Sequence, residues 1–273
     1  MDIIQTILMG IVQGLSEFLP ISSSAHLVFT SNFYKIFKGI EIIEESNQEI
    51  FLDIMLHLGT LIAVLIYFRK EIFAICKALF KRDKSNPDYK LGIYILVGTV
   101  VSVLIAYPLH EIAGDLVFNP AIVGLLLIFT GGLLLFSEKI KNAKSDKISF
   151  KTSVLIAAAQ GLAALPGFSR SGLTIATGLL SGVDRTTAAR YSFLLSIPII
   201  LGASMVYPLV KLDLAEVLTY NWIAIIAGTI VSGVVGYLCI KYFLKFVSKF
   251  SLSVFGWYCL IVGIITTAIF IGR

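Results

Sequence analysis

Residues 13–26 read Q-G-L-S-E-F-L-P-I-S-S-S-A-H, and residues 160–172 read Q-G-L-A-A-L-P-G-F-S-R-S-G. Both stretches open on Gln-Gly-Leu, pass a Leu-Pro and end in a Ser-x-Ser followed by a small residue. They lie 147 residues apart in a chain of 273, so each half carries one copy, and the pair is an internal repeat. The first gathers an amide, a carboxyl, three consecutive hydroxyls and an imidazole around one proline. In a membrane protein, a matched pair of interrupted apolar segments points to the binding site.

That the setting is a membrane follows from composition. The chain is 57% hydrophobic and 14% charged, with a mean hydropathy of +0.91. A soluble domain carries roughly 25% charged residues. The net charge of +5 does not mark a nucleic-acid binder, because the basic residues fall in short loops between apolar segments. Cys76, Cys239 and Cys259 have no metal-ligand spacing and read as small buried apolar residues. The apolar start, residues 1–11, lacks the basic flank of a cleavable signal and runs straight into the first motif.

A hydrocarbon layer about 30 Å thick needs about 20 apolar residues in a helix. Segments 51–68, 91–109, 119–136, 191–210, 222–243 and 252–270 meet that need. Regions 3–33 and 153–181 do not, because each is broken near its middle by proline and a polar cluster. Pieces of that length predict re-entrant helix hairpins. Charge tests the idea. If both broken regions enter and leave on one side, loops 69–90, 137–151, 183–190 and 241–251 lie inside with seventeen Lys and Arg, against four outside: Lys35, Lys38, Lys211 and Arg273. A single crossing by 153–181 instead turns Lys241, Lys245 and Lys249 outward, against the positive-inside rule. The acidic loop 41–49, with Glu41, Glu44, Glu45 and Glu49, then lies outside.

The expected fold is therefore an all-α polytopic membrane protein of two inverted-topology repeats. Each is a re-entrant hairpin plus three transmembrane helices: 1–146 with hairpin 3–33, and 147–273 with hairpin 153–181, in a single membrane domain. Three crossings per half invert the second half, so one hairpin dips from outside, the other rises from inside, and their polar tips meet. Non-helical backbone at that depth is tolerated where it is buried in protein or lines a wet cavity.

Chemistry concentrates at the tips. Gln13 and Glu17 are i, i+4 and share a helix face. Pro20 ends that helix and the run Ser22, Ser23, Ser24 is suited to cap the next, which places hydroxyls near the His26 imidazole. The second tip supplies Ser169, Arg170 and Ser171 after Pro166-Gly167, again at an expected helix start. An intramembrane arginine costs roughly 2.5–3.5 kcal/mol on insertion scales and needs a partner. Its planar fork suits phosphate or carboxylate, and two helix N-termini add N–H groups and positive dipole for an anion. A bland alternative has Glu17 and Arg170 merely tie the halves together, with the serines satisfying kinked backbone. That leaves His26 and three adjacent hydroxyls without a task. His57, four residues after Asp53, reads as a local helix-face hydrogen bond at least as well as a site residue. His110 and Glu111 read as outer-loop residues, and Asp184 and Arg185 as a helix cap and a topology charge. Gly98, Gly124, Gly131, Gly132, Gly228, Gly233 and Gly236 read as close-packing positions.

Four motifs then carry a resemblance to the undecaprenyl-diphosphatase family, the bacitracin-resistance type of integral membrane phosphatase. An E/Q-x-x-x-E pattern leading into F-L-P-[IV]-S-S-[ST]-x-H matches Gln13, Glu17 and Phe18 to His26, and P-G-x-S-R-S-G matches Pro166 to Gly172. L-H-L-G-T at 56–60 and S-F-L-L-S-I-P at 192–198 flank them. Gln13 stands where some members have a second Glu, and Ala25 replaces a frequent Gly. The resemblance implies hydrolysis of a C55 polyprenyl diphosphate to the monophosphate carrier and phosphate, recycling the lipid for peptidoglycan. It implies a divalent metal, Mg²⁺ or Ca²⁺, with Glu17 as metal ligand. Glu17, Ser23, His26 and Arg170 become the expected catalytic residues, and Gln13, Ser22, Ser24, Ser169, Arg170 and Ser171 the substrate-binding ones. Location in the bacterial cytoplasmic membrane with the site open to the outer face is implied as well. The partners are the prenyl diphosphate and surrounding lipid, without nucleic acid; a homodimer stays open. Ser23 is the expected nucleophile, with His26 as general acid/base and Glu17 orienting a partner or binding the metal; the rival assignment makes His26 the nucleophile or has it activate water directly. The rival function is a secondary transporter or flippase of a phosphorylated lipid or anion, since paired broken helices are also transporter architecture.

Overall fold

The computed structural model describes residues 2–39, 46–117, 119–139, 145–211 and 213–271. These form helices α1 (Ile3–Ser16), α2 (Ser23–Phe37), α3 (Asn47–Tyr67), α4 (Arg69–Lys81), α5 (Pro87–Val117), α6 (Pro120–Ser137), α7 (Phe150–Leu162), α8 (Arg170–Leu180), α9 (Arg185–Lys211), α10 (Leu214–Val217), α11 (Trp222–Val247) and α12 (Ser253–Phe270). Among the described residues no strand forms, only one isolated bridge between Ser145 and Val183. The protein is an all-α, multi-pass membrane protein. Six helical stretches are long and apolar enough to cross: Asn47–Tyr67, Pro87–Leu109, Pro120–Ser137, Arg185–Val206, Trp222–Val247 and Ser253–Phe270. Each overlaps one expected span. Only 17–44% of each apolar window is buried, so much of every span presents aliphatic side chains outward, as a bilayer requires.

The broken regions behave as their lengths dictate. Helices α1, α2, α7 and α8 have 14, 15, 13 and 11 residues, about 16–23 Å each at 1.5 Å per residue. Each pair doubles back on itself. Tyr34 near the end of α2 donates to Asp2, the N-cap of α1, at 2.6 Å. Ser145, before α7, pairs through its backbone with Gly182 and Asp184, after α8. Both hairpins therefore enter and leave at one end.

Packing partners exchange between the halves. Helix α1 lies on α11 and α7 on α5, α3 meets α9, and α6 crosses α12. Gly10 and Gly14 of α1 sit against backbone at Gly228 and Ser232 of α11. Phe18, fully buried beside Glu17, packs edge-on against Phe193 of α9 at 5.2 Å and anchors the first tip in the main core.

Some local expectations change. Segment 69–90, read as an inner loop, contains α4. Phe73 and Phe80 are exposed beside Arg69, Lys70, Lys77 and Lys81, the composition of an interfacial helix. Cys239 and Cys259 are buried, but Cys76 on α4 is exposed. His110 and Glu111, expected in a loop, lie within α5. A Cβ added at Gly98, Gly124, Gly131, Gly228, Gly233 or Gly236 would come within 2.5–3.1 Å of a neighbouring segment; at Gly132 it would meet open space. Glu41, Glu44 and Glu45 of the expected outer loop lie outside the described residues, while Glu49 closes a capping box with Ser46 at the start of α3.

Candidate active site

Both chain breaks are built alike. After Pro20, Ser22 takes a left-handed φ of +71°, unusual for a residue with a Cβ. Its hydroxyl accepts the Ala25 N–H at 3.4 Å as α2 begins. After Pro166, Gly167 takes φ +100° without penalty, and the Ser169 hydroxyl accepts the Gly172 N–H at 3.1 Å as α8 begins. The 147-residue register holds at the serine pairs, though not at the prolines or the left-handed residues: Ser22 and Ser24 hydroxyls lie 3.2 Å apart, Ser169 and Ser171 hydroxyls 3.3 Å. In that register Ser23 matches Arg170, each the first residue of its helix.

Both matched residues reach one carboxylate. Glu17 Oε1 accepts from Arg170 Nη2 at 2.5 Å, and Glu17 Oε2 accepts from the Ser23 hydroxyl at 2.8 Å and from Gln13 Nε2 at 3.1 Å. His57 Nε2 stands 3.7 Å from the same Oε2. The Glu17 side chain is 6% exposed and that of Arg170 17%. Two charges taken that far from water persist only because each faces the other with further hydrogen bonds around it. Arg170 Nη1 also donates to the Ser192 carbonyl of α9 at 3.5 Å. The tips are stitched a second time where the Ser171 hydroxyl donates to the Leu19 carbonyl at 2.9 Å.

Glu17, Ser23, Gln13 and Arg170 are thus brought together. Ser22, Ser169 and Ser171 are about 1% exposed and engaged in caps and the inter-tip bond. Ser24 is half-buried beside Ser22. His26 stands apart from the cluster. Its Nδ1 lies 2.7 Å from the Ser22 backbone oxygen, not a hydroxyl, and its Nε2 2.7 Å from Tyr258 Oη of α12. His57 and Tyr258 join these residues. His57 bonds locally to the Asp53 backbone oxygen at 2.7 Å, as its spacing implied, yet its other nitrogen joins the cluster. Tyr258 carries no motif that would single it out; only tertiary packing brings α12 to the first break.

This arrangement can do nucleophilic chemistry on an anion. A hydroxyl bonded to a carboxylate is a nucleophile–base pair, and a guanidinium beside it can hold phosphate oxygens. The donor set also fits a hard divalent cation. Gln13 is fully buried, and its Oε1 has no hydrogen-bond partner. With Glu17 it offers two oxygen ligands, to which substrate oxygens and water would be added. Among the described residues no group of three or more His, Cys, Asp or Glu converges.

A family model described as bacitracin resistance protein BacA matches residues 6–265. An undecaprenyl-diphosphatase of Halothermothrix orenii is 42% identical over 271 residues, covering 97% of this chain and 96% of that one. One of Methanobrevibacter smithii is 39% identical over 280 residues, covering 97% and 96%. Undecaprenyl-diphosphatase 2 of Stutzerimonas stutzeri is 36% identical over 281 residues, covering both chains in full.

Proposed function

The chain belongs to the bacitracin resistance protein BacA family, and from that premise we propose that it hydrolyses undecaprenyl diphosphate to undecaprenyl phosphate and inorganic phosphate. One observation carries the reading: a single buried carboxylate, Glu17, holds the hydroxyl of one hairpin and the guanidinium of the other.

The prenyl chain lies among the apolar helices and the diphosphate at the joined tips. Arg170 binds the terminal phosphate oxygens and neutralises their charge, the interaction that dominates phosphoryl transfer. Ser23 Oγ forms a bond to the terminal phosphorus as the bond from that phosphorus to the bridging oxygen breaks, and Glu17 Oε2 takes the hydroxyl proton. The bridging oxygen leaves on the lipid monophosphate. Water then attacks the phosphoserine, a proton returns to Ser23, and inorganic phosphate departs. His26, wired away from Ser23, serves the substrate side. A divalent ion held by Glu17 and Gln13 Oε1 would supply further charge neutralisation to the phosphates.

Three spanning helices, α3, α5 and α6, separate the two hairpin mouths, which supports an inverted repeat divided near residue 146. The concentration of Lys and Arg in loops at one end supports a bacterial cytoplasmic membrane location with the first hairpin open to the outer face.

Purified protein in detergent, given farnesyl and C55 diphosphates with and without EDTA, should release phosphate, and turnover quenched in acid should carry phosphate on Ser23. No release from either substrate in any divalent salt would sink the phosphatase reading and favour a carrier, to which the paired broken helices also correspond. A parallel quench in SDS at neutral pH, where a phosphohistidine survives, that shows phosphate on His26 would move the nucleophile there.

A further inference from the structure

We infer that Tyr258 is a positioning residue for His26, fixing the orientation of the imidazole beside the joined hairpin tips; this rests on the phosphatase reading above. The Ser22 backbone oxygen, 2.7 Å from Nδ1, can only accept, so Nδ1 carries a proton and donates it. In the neutral ring Nε2 is then a bare lone pair, and Tyr258 Oη at 2.7 Å is the donor that meets it. Two elements distant in the chain thereby fix the imidazole from both ends. The rings of His26 and Tyr258 lie within 16° of parallel with centroids 5.7 Å apart, and Phe29 stands edge-on at 6.2 Å.

Tyr258 is not a loose surface group that happens to touch a histidine. Its neighbour Cys259 is fully buried and donates through Sγ to the Pro20 carbonyl at 3.3 Å, so α12 is pinned to the first break one residue away. Two residues earlier, Gly256 packs against the backbone of Gly131 on α6. Tyr258 is 40% exposed, so the His26–Tyr258 pair is not sealed inside the helix bundle. His57 is wired differently. Its Nδ1 also bonds to an i−4 carbonyl at 2.7 Å, but its Nε2 faces Glu17. The two imidazoles are therefore wired apart, one facing Glu17 of the Ser23–Glu17 pair and one held by Tyr258.

Tyr258→Phe keeps the ring and removes the donor. Losing one neutral hydrogen bond that orients a site imidazole should lower kcat for C55 diphosphate about ten-fold, with KM within about two-fold of wild type. Because Tyr258 acts through His26, Tyr258→Phe combined with His26→Asn should be no slower than His26→Asn alone. Wild-type kcat in Tyr258→Phe, or additive losses in the double variant, would overturn the inference. A second readout does not depend on turnover. The chain has three histidines, so ¹⁵N-histidine spectra of the detergent-solubilised protein can be assigned by the resonance lost in His26→Asn. In Tyr258→Phe the His26 Nε2 resonance should move as its lone pair loses the phenol donor, while Nδ1 stays protonated on the Ser22 oxygen, and an unchanged spectrum refutes the link. If wild type releases no phosphate, the functional reading fails, while the spectra still decide whether Tyr258 sets His26.

Discussion

At Glu17 two helix starts 147 residues apart converge on one carboxylate, and the chemistry on each side differs. Ser23 brings a reactive hydroxyl; Arg170 brings charge. If Arg170 were only a strut, its loss would cost stability and leave turnover per folded molecule intact. If it holds phosphate, Arg170→Ala should lower kcat/KM by about 10²–10³, the range for removing one preorganised transition-state donor. Arg170→Lys, which keeps charge without the fork, should fall between. Phosphate release normalised to monodisperse protein separates the two, and near-normal release by Arg170→Ala would return Arg170 to the role of a tie. Much of this site was readable in advance. Gln13 and Glu17 at i, i+4 predicted a shared face, and they are hydrogen-bonded at 3.1 Å. An arginine in an apolar segment demanded a partner and found it in the other hairpin. His57 was not readable, because its i−4 bond looks the same whether its far nitrogen faces lipid or a carboxylate. Nor was the turning away of His26, which depends on where α12 lies.

Between elements, close approach is what the apolar composition demands, since lipid tails are as apolar as leucine and helices associate through packing rather than through escape from water. The crossing of α6 and α12 shows the means. Gly124 and Gly131 meet Gly263 and Gly256, seven residues apart on each helix, backbone against backbone. The next residue on α6 gives a built-in control, because Gly132 faces open space. Gly131→Ala would put a methyl 2.7 Å from the Gly256 carbonyl oxygen, an overpacking cost of about 1–3 kcal/mol. Gly132→Ala meets nothing and gains about 0.4–1 kcal/mol of helix propensity and reduced unfolded-state freedom. Thermal unfolding in detergent should therefore show Gly131→Ala with a lowered Tm and Gly132→Ala with an unchanged or raised one. Equal Tm values would mean that the crossing tolerates separation. Sequence reading treated both glycines alike, since neighbours on a helix point about 100° apart and only a known partner tells which one faces it.

Across the whole molecule, the six spans and two hairpins were legible because bilayer thickness converts directly into residue counts. Helix α4 was not, because thirteen amphipathic residues rich in lysine read as loop when only spanning length is sought. Also hidden was how the halves are held at the end away from the first hairpin's mouth. There Glu138, which caps α6, accepts two hydrogen bonds from Arg185 at the start of α9 and one from the Leu252 N–H before α12. Glu138 thus joins three elements of both halves, with Arg185, read only as a topology charge, as its ionic partner. Burial alone would raise the Glu138 carboxyl, but Arg185 and the Leu252 N–H outweigh it and hold the group below its ordinary value of 4.5. A lowered folded-state pKa means that the unfolded chain binds the proton more readily. Stability from Glu138 is then fully present above about pH 4.5 and is lost as pH falls through the lower folded value. Glu138→Gln should accordingly have a lower Tm than wild type at pH 7. The gap should narrow steadily below about pH 4.5 as the wild-type carboxyl takes up its proton. A gap constant from pH 7 to pH 3 would show that Glu138 acts by shape rather than charge, and that its bonds to Arg185 do not hold the halves together through their ionic character.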